Sequence, residues 1–441
     1  MEDKKYICYS AICLMDPRFG YLERVDKKWG LVDNGDPLRK DLCAVADAGG
    51  NSLRLLSFAV YQEHPDGKES QFCPWVYDKA KGLWRLSERN DYYRPIVRRI
   101  VEIANECRLR VWWAFFDHCS FISGWWNAYN PWLHNVEGVP TIYDEAAYPY
   151  VKDMMETQID DFRGLDVAYH LANEAGDGRM PDLAERVMFP VIRRKGLPLD
   201  RLGAGANLSK REYLGEGKYA DKPVTTQDKI RERFGSYFGE ANKKLLFREV
   251  HGVGNRLDKW RPFGDRIAQA VCWWSKPKQS EHEVLGDWIA DTDGMKIGDS
   301  ECDKDTDGSR PSAQTMHDMA VYLWKDAGVD NVHIAHCPQT TNIPCLVKTF
   351  KAISEAYKEV FGKYPANYGK VPYVPPVEPP PSPPPMVELD VCQETKLLPN
   401  HSCGKIRRQF IKGTEPTKVC PIHHDETFWE KLLRLLKGLF S

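Results

Sequence analysis

Residues 165–178, LDVAYHLANEAGDG, bring together side chains suited to acid/base work: an apolar, strand-like stretch ends in Asn173-Glu174 and a Gly/Asp-rich turn. A carboxyl group at the carboxyl end of a buried strand stands where barrel enzymes place their chemistry. Burial among aromatic neighbours raises a glutamic acid pKa and makes Glu174 a candidate proton donor near neutral pH, while Asn173 is suited to hydrogen-bond a substrate hydroxyl. A glutamate at this point could also do no more than cap the helix that follows.

Cleaving a glycosidic bond takes a second carboxyl group, about 5–5.5 Å from the first in retaining enzymes and about 6.5–9.5 Å in inverting ones. Glu249 in KLLFREVHG is the preferred partner, and Asp291, which ends EVLGDWIAD, is the reserve. Strand alternation sets Glu249 on the face opposite Arg248. Read alone, each carboxylate is also a loop residue or an ion-pair partner, Asp291 more readily than Glu249. Binding groups gather at the same strand ends: Asp117 and His118 after the third run, Asn207 after the fifth, His251 after the sixth, Trp288 in the seventh, His336 after the eighth. The loop SFISGWWNAYNPWLHN adds Trp125, Trp126, Asn127, Trp132 and His134, and rings beside amides form a saccharide platform. Each histidine taken singly is more readily a structural hydrogen-bonder.

These residues need a frame that brings strand ends together. Apolar strand-like runs alternate with helical ones as far as Tyr364, which predicts a parallel sheet with helices outside it. The eight runs are 5–15, 51–58, 109–118, 165–174, 201–209, 244–252, 283–291 and 331–337, with helices such as YYRPIVRRIVEIANECR and VKTFKAISEAYKEVFGKY between and after them. The expectation is an α/β fold, a (β/α)8 TIM barrel over residues 1–366. AQAVCWW, residues 268–274, is the competing strand in the later part, and that alternative count would make KLLFREVHG the seventh.

Composition narrows the function classes. Lys plus Arg at 61 against Asp plus Glu at 63 leaves no basic field for nucleic acid. The 14 Trp, 20 Tyr and 17 Phe exceed what a core needs, although most should be packing residues. No stretch approaches the roughly 18 apolar residues of a spanning helix. The start, MEDKKYICYSAICLM, has no signal-peptide pattern, so the expected location is cytoplasmic or virion-associated rather than secreted. The 13 cysteines, scattered through strand-like runs at Cys8, Cys13, Cys119 and Cys272, fit reduced, buried thiols better than a disulfide framework.

With GGNSLRLL early in the chain and Asn173-Glu174 closing the fourth run, residues 5–362 resemble the clan A glycoside hydrolases, the cellulase-like (β/α)8 enzymes. The resemblance implies that Glu174 is the acid/base and that a glutamate ending strand seven is the nucleophile. The chain departs from that pattern, because its seventh run ends in Asp291. Glu249 matches only under the alternative count.

DKDTDG holds Asp303, Asp305 and Asp307 at alternate positions before Gly308, the first half of a Ca²⁺ loop, but Pro311 and Gln314 spoil the second half. The alternative is a solvated acidic loop. The expected chemistry requires no cofactor.

VPYVPPVEPPPSPPPM predicts an extended polyproline spacer within a linker over 367–386. A small Cys/His module over 387–424 and an amphipathic helix over 425–441 follow. In the module, VCQETKLLPNHSCGKIRRQFIKGTEPTKVCPIHH resembles the C-terminal module of bifunctional penicillin-binding proteins, which implies fold and no activity. Cys392, Cys403, Cys420 and His423 could complete a tetrahedral Zn²⁺ site, with a Cys392–Cys403 disulfide as the alternative. The terminal helix reads as docking onto this module or a partner, with membrane-surface binding as the weaker alternative.

The sequence therefore points to a glycosidase acting on a polysaccharide or glycan, tethered by its tail to a protein or cell-envelope partner. Its rival is a non-catalytic carbohydrate-binding or structural protein of a virion or surface appendage that keeps the barrel. A peptidoglycan-directed lytic enzyme is a third reading, raised by the tail alone.

Overall fold

The computed structural model describes residues 5–11, 14, 20–25, 28–57, 72, 74–78, 83–89, 91–116, 142–173, 178–205, 211–213, 219–221, 226–251, 267–272, 313–325, 328–335, 343–371, 386–392 and 405–411. Eight strands make a closed barrel: β1 Tyr6–Ser10, β2 Ser52–Leu56, β3 Arg110–Ala114, β4 Val167–His170, β5 Leu202–Gly205, β6 Phe247–His251, β7 Ile267–Cys272 and β8 Asn331–Ala335. Each pairs in parallel with its neighbours in the chain, and β1 closes the ring by pairing with both β2 and β8.

Helices α1 Asp36–Asp47, α2 Tyr93–Glu106, α3 Tyr148–Asp161, α4 Phe189–Lys195, α5 Thr226–Phe238, α6 Ala313–Lys325 and α7 Ile343–Phe361 connect the strands or follow the last one. On α2, Ile96, Val97, Ile100, Val101, Ile103 and Ala104 are buried in the spacing of one helical face. The opposite face carries Arg98 and Glu102, paired at 2.9 Å one turn apart. Before α4 the helix widens into a π turn at Ala184–Met188. Pro190, two residues beyond the turn, has no N–H to give a regular helical ladder, and the wider turn accommodates that loss.

Alternation divides the strands between two environments. Ile7, Tyr9, Leu53, Leu55, Val111, Trp113, Val167, Tyr169, Val332 and Ile334 belong to the large core shared with the helices. Cys8, Trp112 and Ala168 form a separate apolar cluster with Tyr6. Trp113 Nε1 donates to Gln158 Oε1 of α3 at 3.0 Å, so a buried polar pair locks helix to sheet.

Asparagines pin the amino-terminal end of the barrel. Asn51 Oδ1 accepts from Ile7 N at 2.8 Å, Asn331 Oδ1 from Tyr6 N at 2.9 Å and Asn105 Oδ1 from Asp166 N at 2.7 Å. Ion pairs of Arg110 and Arg201 with Asp166, and of Lys5 with Asp330, surround them. These hydrogen bonds and ion pairs tie the strand starts to one another. The chain then stays on the barrel beyond α7: Asn367, within the linker span expected from sequence, donates to Gly50 O and Arg108 O at 2.9 Å each. Val371 N donates to Asp47 Oδ1 at 3.0 Å.

Two expectations need correction. The seventh place in the ring belongs to Ile267–Cys272 and not to residues 283–291, which lie outside the described residues, so the AQAVC segment is the strand and KLLFREVHG remains the sixth. Its small residues Ala268 and Ala270 gave weak apolar contrast to the sequence pattern. Cys43 on α1 and Cys107 after α2 are joined in a disulfide, Cα–Cα 4.8 Å, against the expectation of reduced thiols. Cys8 is buried in the barrel.

Residues 375–441 form a second compact unit. Its described part is an antiparallel hairpin of Met386–Cys392 and Lys405–Ile411.

Candidate active site

One hydrogen-bonded row crosses the sheet from Ser10 to Arg54, Trp112 and Ala168. It runs from the last residue of β1 through the middle of β2 and β3 into β4. Two residues further along β4, His170 pairs in register with Gly203. The barrel lumen at this level is polar: Ser10, Arg54, His170 and Asn173 are all buried.

Arg54 is the organising group, 1% exposed in the middle of an apolar strand. A guanidinium so enclosed must be hydrogen-bonded, because transfer of an ion from water costs several kcal/mol. Its Nη1 donates to Ser10 Oγ at 3.2 Å, and its Nη2 makes a short bond to Asn173 Oδ1. Asn173 N in turn donates to Phe116 O at 2.6 Å, tying the end of the fourth strand segment to the third. The Asn173 side-chain carbonyl is thus turned to Arg54.

His170 is held from two sides. Its ring meets Trp112 edge-on with centroids 5.0 Å apart. A Cβ added to Gly203 would come within 2.7 Å of His170 Nε2, so only glycine admits the ring at this height. On the outer side of the same strand, burial pushes the Tyr169 phenol above its usual range and keeps it neutral.

Backbone register gives the place of Glu249 in the ring. Glu249 pairs with Gly205 on one side and Ala268 on the other. These rows keep the parity of the rows through His170, Trp112 and Arg54 around the ring. Leu171 N donates to Gly203 O, which sets Asn173 within about one residue of the height of Glu249, with β5 between. Two inter-strand spacings separate β4 from β6, roughly 10 Å.

Glu174, the residue after Asn173, lies outside the described residues, as do Asp117, His118, Trp125, Trp126, Trp132, Asn207, Trp288, Asp291 and His336. His251 is the last residue of β6. Asp303, Asp305, Asp307, Cys403, Cys420 and His423 are also outside, while Cys392 ends the first strand of the hairpin. Among the described residues no group of three or more His, Cys, Asp or Glu is arranged to hold a metal, and no helix is long and apolar enough to cross a membrane.

Arg54, Ser10 and His170 were not singled out from the sequence. The signal for Arg54 was present: a charged residue inside SLRLL, on a strand buried on both faces, must have partners.

The profile of the penicillin-binding protein 1A C-terminal domain family matches residues 382–425. No curated protein matches the chain. Among solved structures, a β-1,4-mannanase from the common sea hare Aplysia kurodai is similar at 11% identity over 84% of this chain and 95% of its own, TM-score 0.47. An endo-β-1,4-mannanase from Thermotoga petrophila is similar at 10% identity over 82% and 78%, TM-score 0.45. A trimodular GH5_4 subfamily endoglucanase is similar at 13% identity over 81% of this chain, TM-score 0.44, and the chain spans 61% of its length.

Proposed function

We propose that the barrel is an O-glycosyl hydrolase acting on a polysaccharide or glycan, with Glu174 as acid/base and Glu249 as the second carboxyl group. The observation that carries this reading is the buried contact between Arg54 and Asn173. A barrel that needed only packing would fill this position with an apolar side chain, whereas here an enclosed guanidinium fixes the amide that immediately precedes Glu174.

In this reading Glu174 gives its proton to the glycosidic oxygen as the bond to the anomeric carbon breaks. Glu249 then either attacks that carbon or takes a proton from the attacking water. Asn173 directs its N–H donors at a sugar hydroxyl beside the scissile bond. A gap of roughly 10 Å between the backbones of β4 and β6 is one that two glutamate side chains can narrow to the carboxyl separation of either mechanism. No metal or organic cofactor enters these steps. The tail, which matches the penicillin-binding protein 1A C-terminal domain family over residues 382–425, serves in this reading as an attachment module for a protein or cell-envelope partner.

A second reading rests on β7. Its sequence, IAQAVC, contains no carboxylate, so the place that the clan resemblance gives the nucleophile lacks one. On this reading the barrel holds a glycan without cleaving it. Incubating the full chain with a panel of β-linked polysaccharides and peptidoglycan, and following reducing ends and binding separately, decides between the two. Release that disappears in Glu174→Gln while binding persists supports hydrolysis. Binding without release by the wild-type chain supports the second reading, and neither signal on any glycan rejects both.

A further inference from the structure

After α7 the chain forms a strap across the amino-terminal end of the barrel. It begins in a turn in which Tyr368 N donates to Pro365 O at 3.1 Å and the rings of Tyr364 and Tyr368 stack with centroids 4.2 Å apart. The Tyr364 hydroxyl donates to Glu355 Oε1 at 2.8 Å and accepts from Lys358 Nζ at 3.2 Å, which fastens the turn to α7. The strap is then seated on two connections. Asn367 Nδ2 donates to Gly50 O between α1 and β2 and to Arg108 O between α2 and β3. Gly369 N and Val371 N donate to Asp47 O and Asp47 Oδ1 at the end of α1. Gly49, at φ +106°, makes the close approach possible: a Cβ there would fall 1.9 Å from Ser354 Oγ and 3.4 Å from Pro365 Cγ.

The Cys43–Cys107 disulfide crosses the same seam. Cys107 immediately precedes Arg108, and Cys43 lies about one helical turn before Asp47, so each half-cystine adjoins a segment that the strap holds. Both are buried, Cys43 at 6% and Cys107 at 0% exposure. Reduction needs a thiolate to reach one of the sulfurs, so an enclosed bond reacts through local opening of the structure around it. Opening at either connection breaks hydrogen bonds to the strap.

We propose that residues 364–371 guard the Cys43–Cys107 bond, which resists reduction while the strap is seated and becomes reducible once it lifts. The inference does not depend on the chemistry of the barrel. The reductant is a small dithiol: one of its thiolates attacks a sulfur of the pair to give a mixed disulfide and releases the other cysteine as a thiolate. The second thiolate of the reductant then displaces the remaining protein sulfur. Two electrons pass to the protein, both cysteines end protonated, and the dithiol leaves as a disulfide.

Reduction kinetics on the full chain test this. The folded protein is held in dithiothreitol, quenched with iodoacetamide at intervals, and the labelling of Cys43 and Cys107 is followed by mass spectrometry. Asn367→Ala removes the donor shared by the two connections and should speed reduction by about tenfold or more. Tyr364→Ala, which loses the stack and the Glu355 contact at a half-buried position, should act in the same direction by a smaller factor. Phe234→Leu weakens the aromatic cluster of α4 and α5 away from the seam and should leave the rate unchanged. Reduction of Asn367→Ala and Tyr364→Ala at the wild-type rate overturns the proposal, and if Asn367→Ala does not fold, Tyr364→Ala alone decides. Equal acceleration by Phe234→Leu also overturns it, because the bond would then be reached through global unfolding. So does full labelling of both cysteines in the wild-type chain without dithiothreitol, which would mean that the bond is absent.

Discussion

Arg54 and Asn173 stand 119 positions apart in the chain and meet inside the barrel, where Arg54 Nη2 donates to Asn173 Oδ1. β2 supplies one residue and the end of the fourth strand segment the other, with β3 lying between them and adding Trp112 to the row of Arg54. The contact reaches across an intervening strand, so it constrains the ring as well as the site. It also makes the orientation of Asn173 a property of the closed barrel.

This coupling is measurable. Arg54→Met removes the Arg54 donor from the Asn173 carbonyl, and Asn173→Ala removes that acceptor from the guanidinium, which keeps Ser10 Oγ. Losing a buried partner costs about 1–3 kcal/mol. Urea denaturation of both single variants and the double should give an interaction energy of about 1–3 kcal/mol. Additivity within about 0.5 kcal/mol would show that the two residues act independently.

The proposed chemistry predicts unequal effects on turnover and fold. Glu174→Gln keeps shape and hydrogen-bonding capacity but removes the proton, so hydrolysis should fall by about 10²–10⁴ while the melting temperature stays within error. Glu249→Gln should produce a loss of similar order. Normal turnover in Glu174→Gln, on a substrate whose leaving group needs protonation, would remove Glu174 from the mechanism.

The barrel was largely legible because a strand covered by helices on one side and closed on itself on the other reads as an apolar run. β2, as SLRLL, and β3, as RVWWA, are visible in this way. β7 was obscured because IAQAVC is rich in small residues and competes with the more apolar EVLGDWIAD. Asn173 was found through its place before Glu174. Arg54 and Ser10 were not, since neither lies near Asn173 in sequence and only ring closure brings them there. The Cys43–Cys107 disulfide escaped for the same reason: its half-cystines are 64 residues apart and carry no spacing signal.

That disulfide should contribute to stability by restricting the unfolded chain. For a loop of this length the chain-entropy relation gives about 4 kcal/mol. Cys43→Ala with Cys107→Ala should lower the unfolding free energy by roughly that amount, and a reductant that reaches the buried bond should do the same to the wild-type chain only. Equal sensitivity of the double variant and the wild type to reductant would place the stabilising bond elsewhere.

The pair formed by Tyr21 and Asp41 makes stability depend on pH in the sense opposite to most carboxylates. Tyr21 hydroxyl donates to Asp41 Oδ2 at 2.6 Å. Burial raises the Asp41 pKa above its ordinary value, and the Tyr21 hydrogen bond opposes that rise. Because the folded state holds the proton more tightly than the unfolded one, the stabilisation from protonated Asp41 is complete below the unfolded value, about 3.9. It is lost as pH climbs through the raised folded value. Asp160 behaves in the opposite way: the hydrogen bond from Lys195 lowers its pKa, so its contribution is present above the unfolded value and lost on acidification. Tyr21→Phe removes the bond that favours ionised Asp41, so the cost of this substitution should grow as pH rises from 4 to 7. Asp41→Asn can still accept from Tyr21 and carries no charge, so it should flatten that dependence. Denaturation midpoints across this range provide the check: a Tyr21→Phe penalty that stays constant with pH would mean that Asp41 does not titrate through this contact.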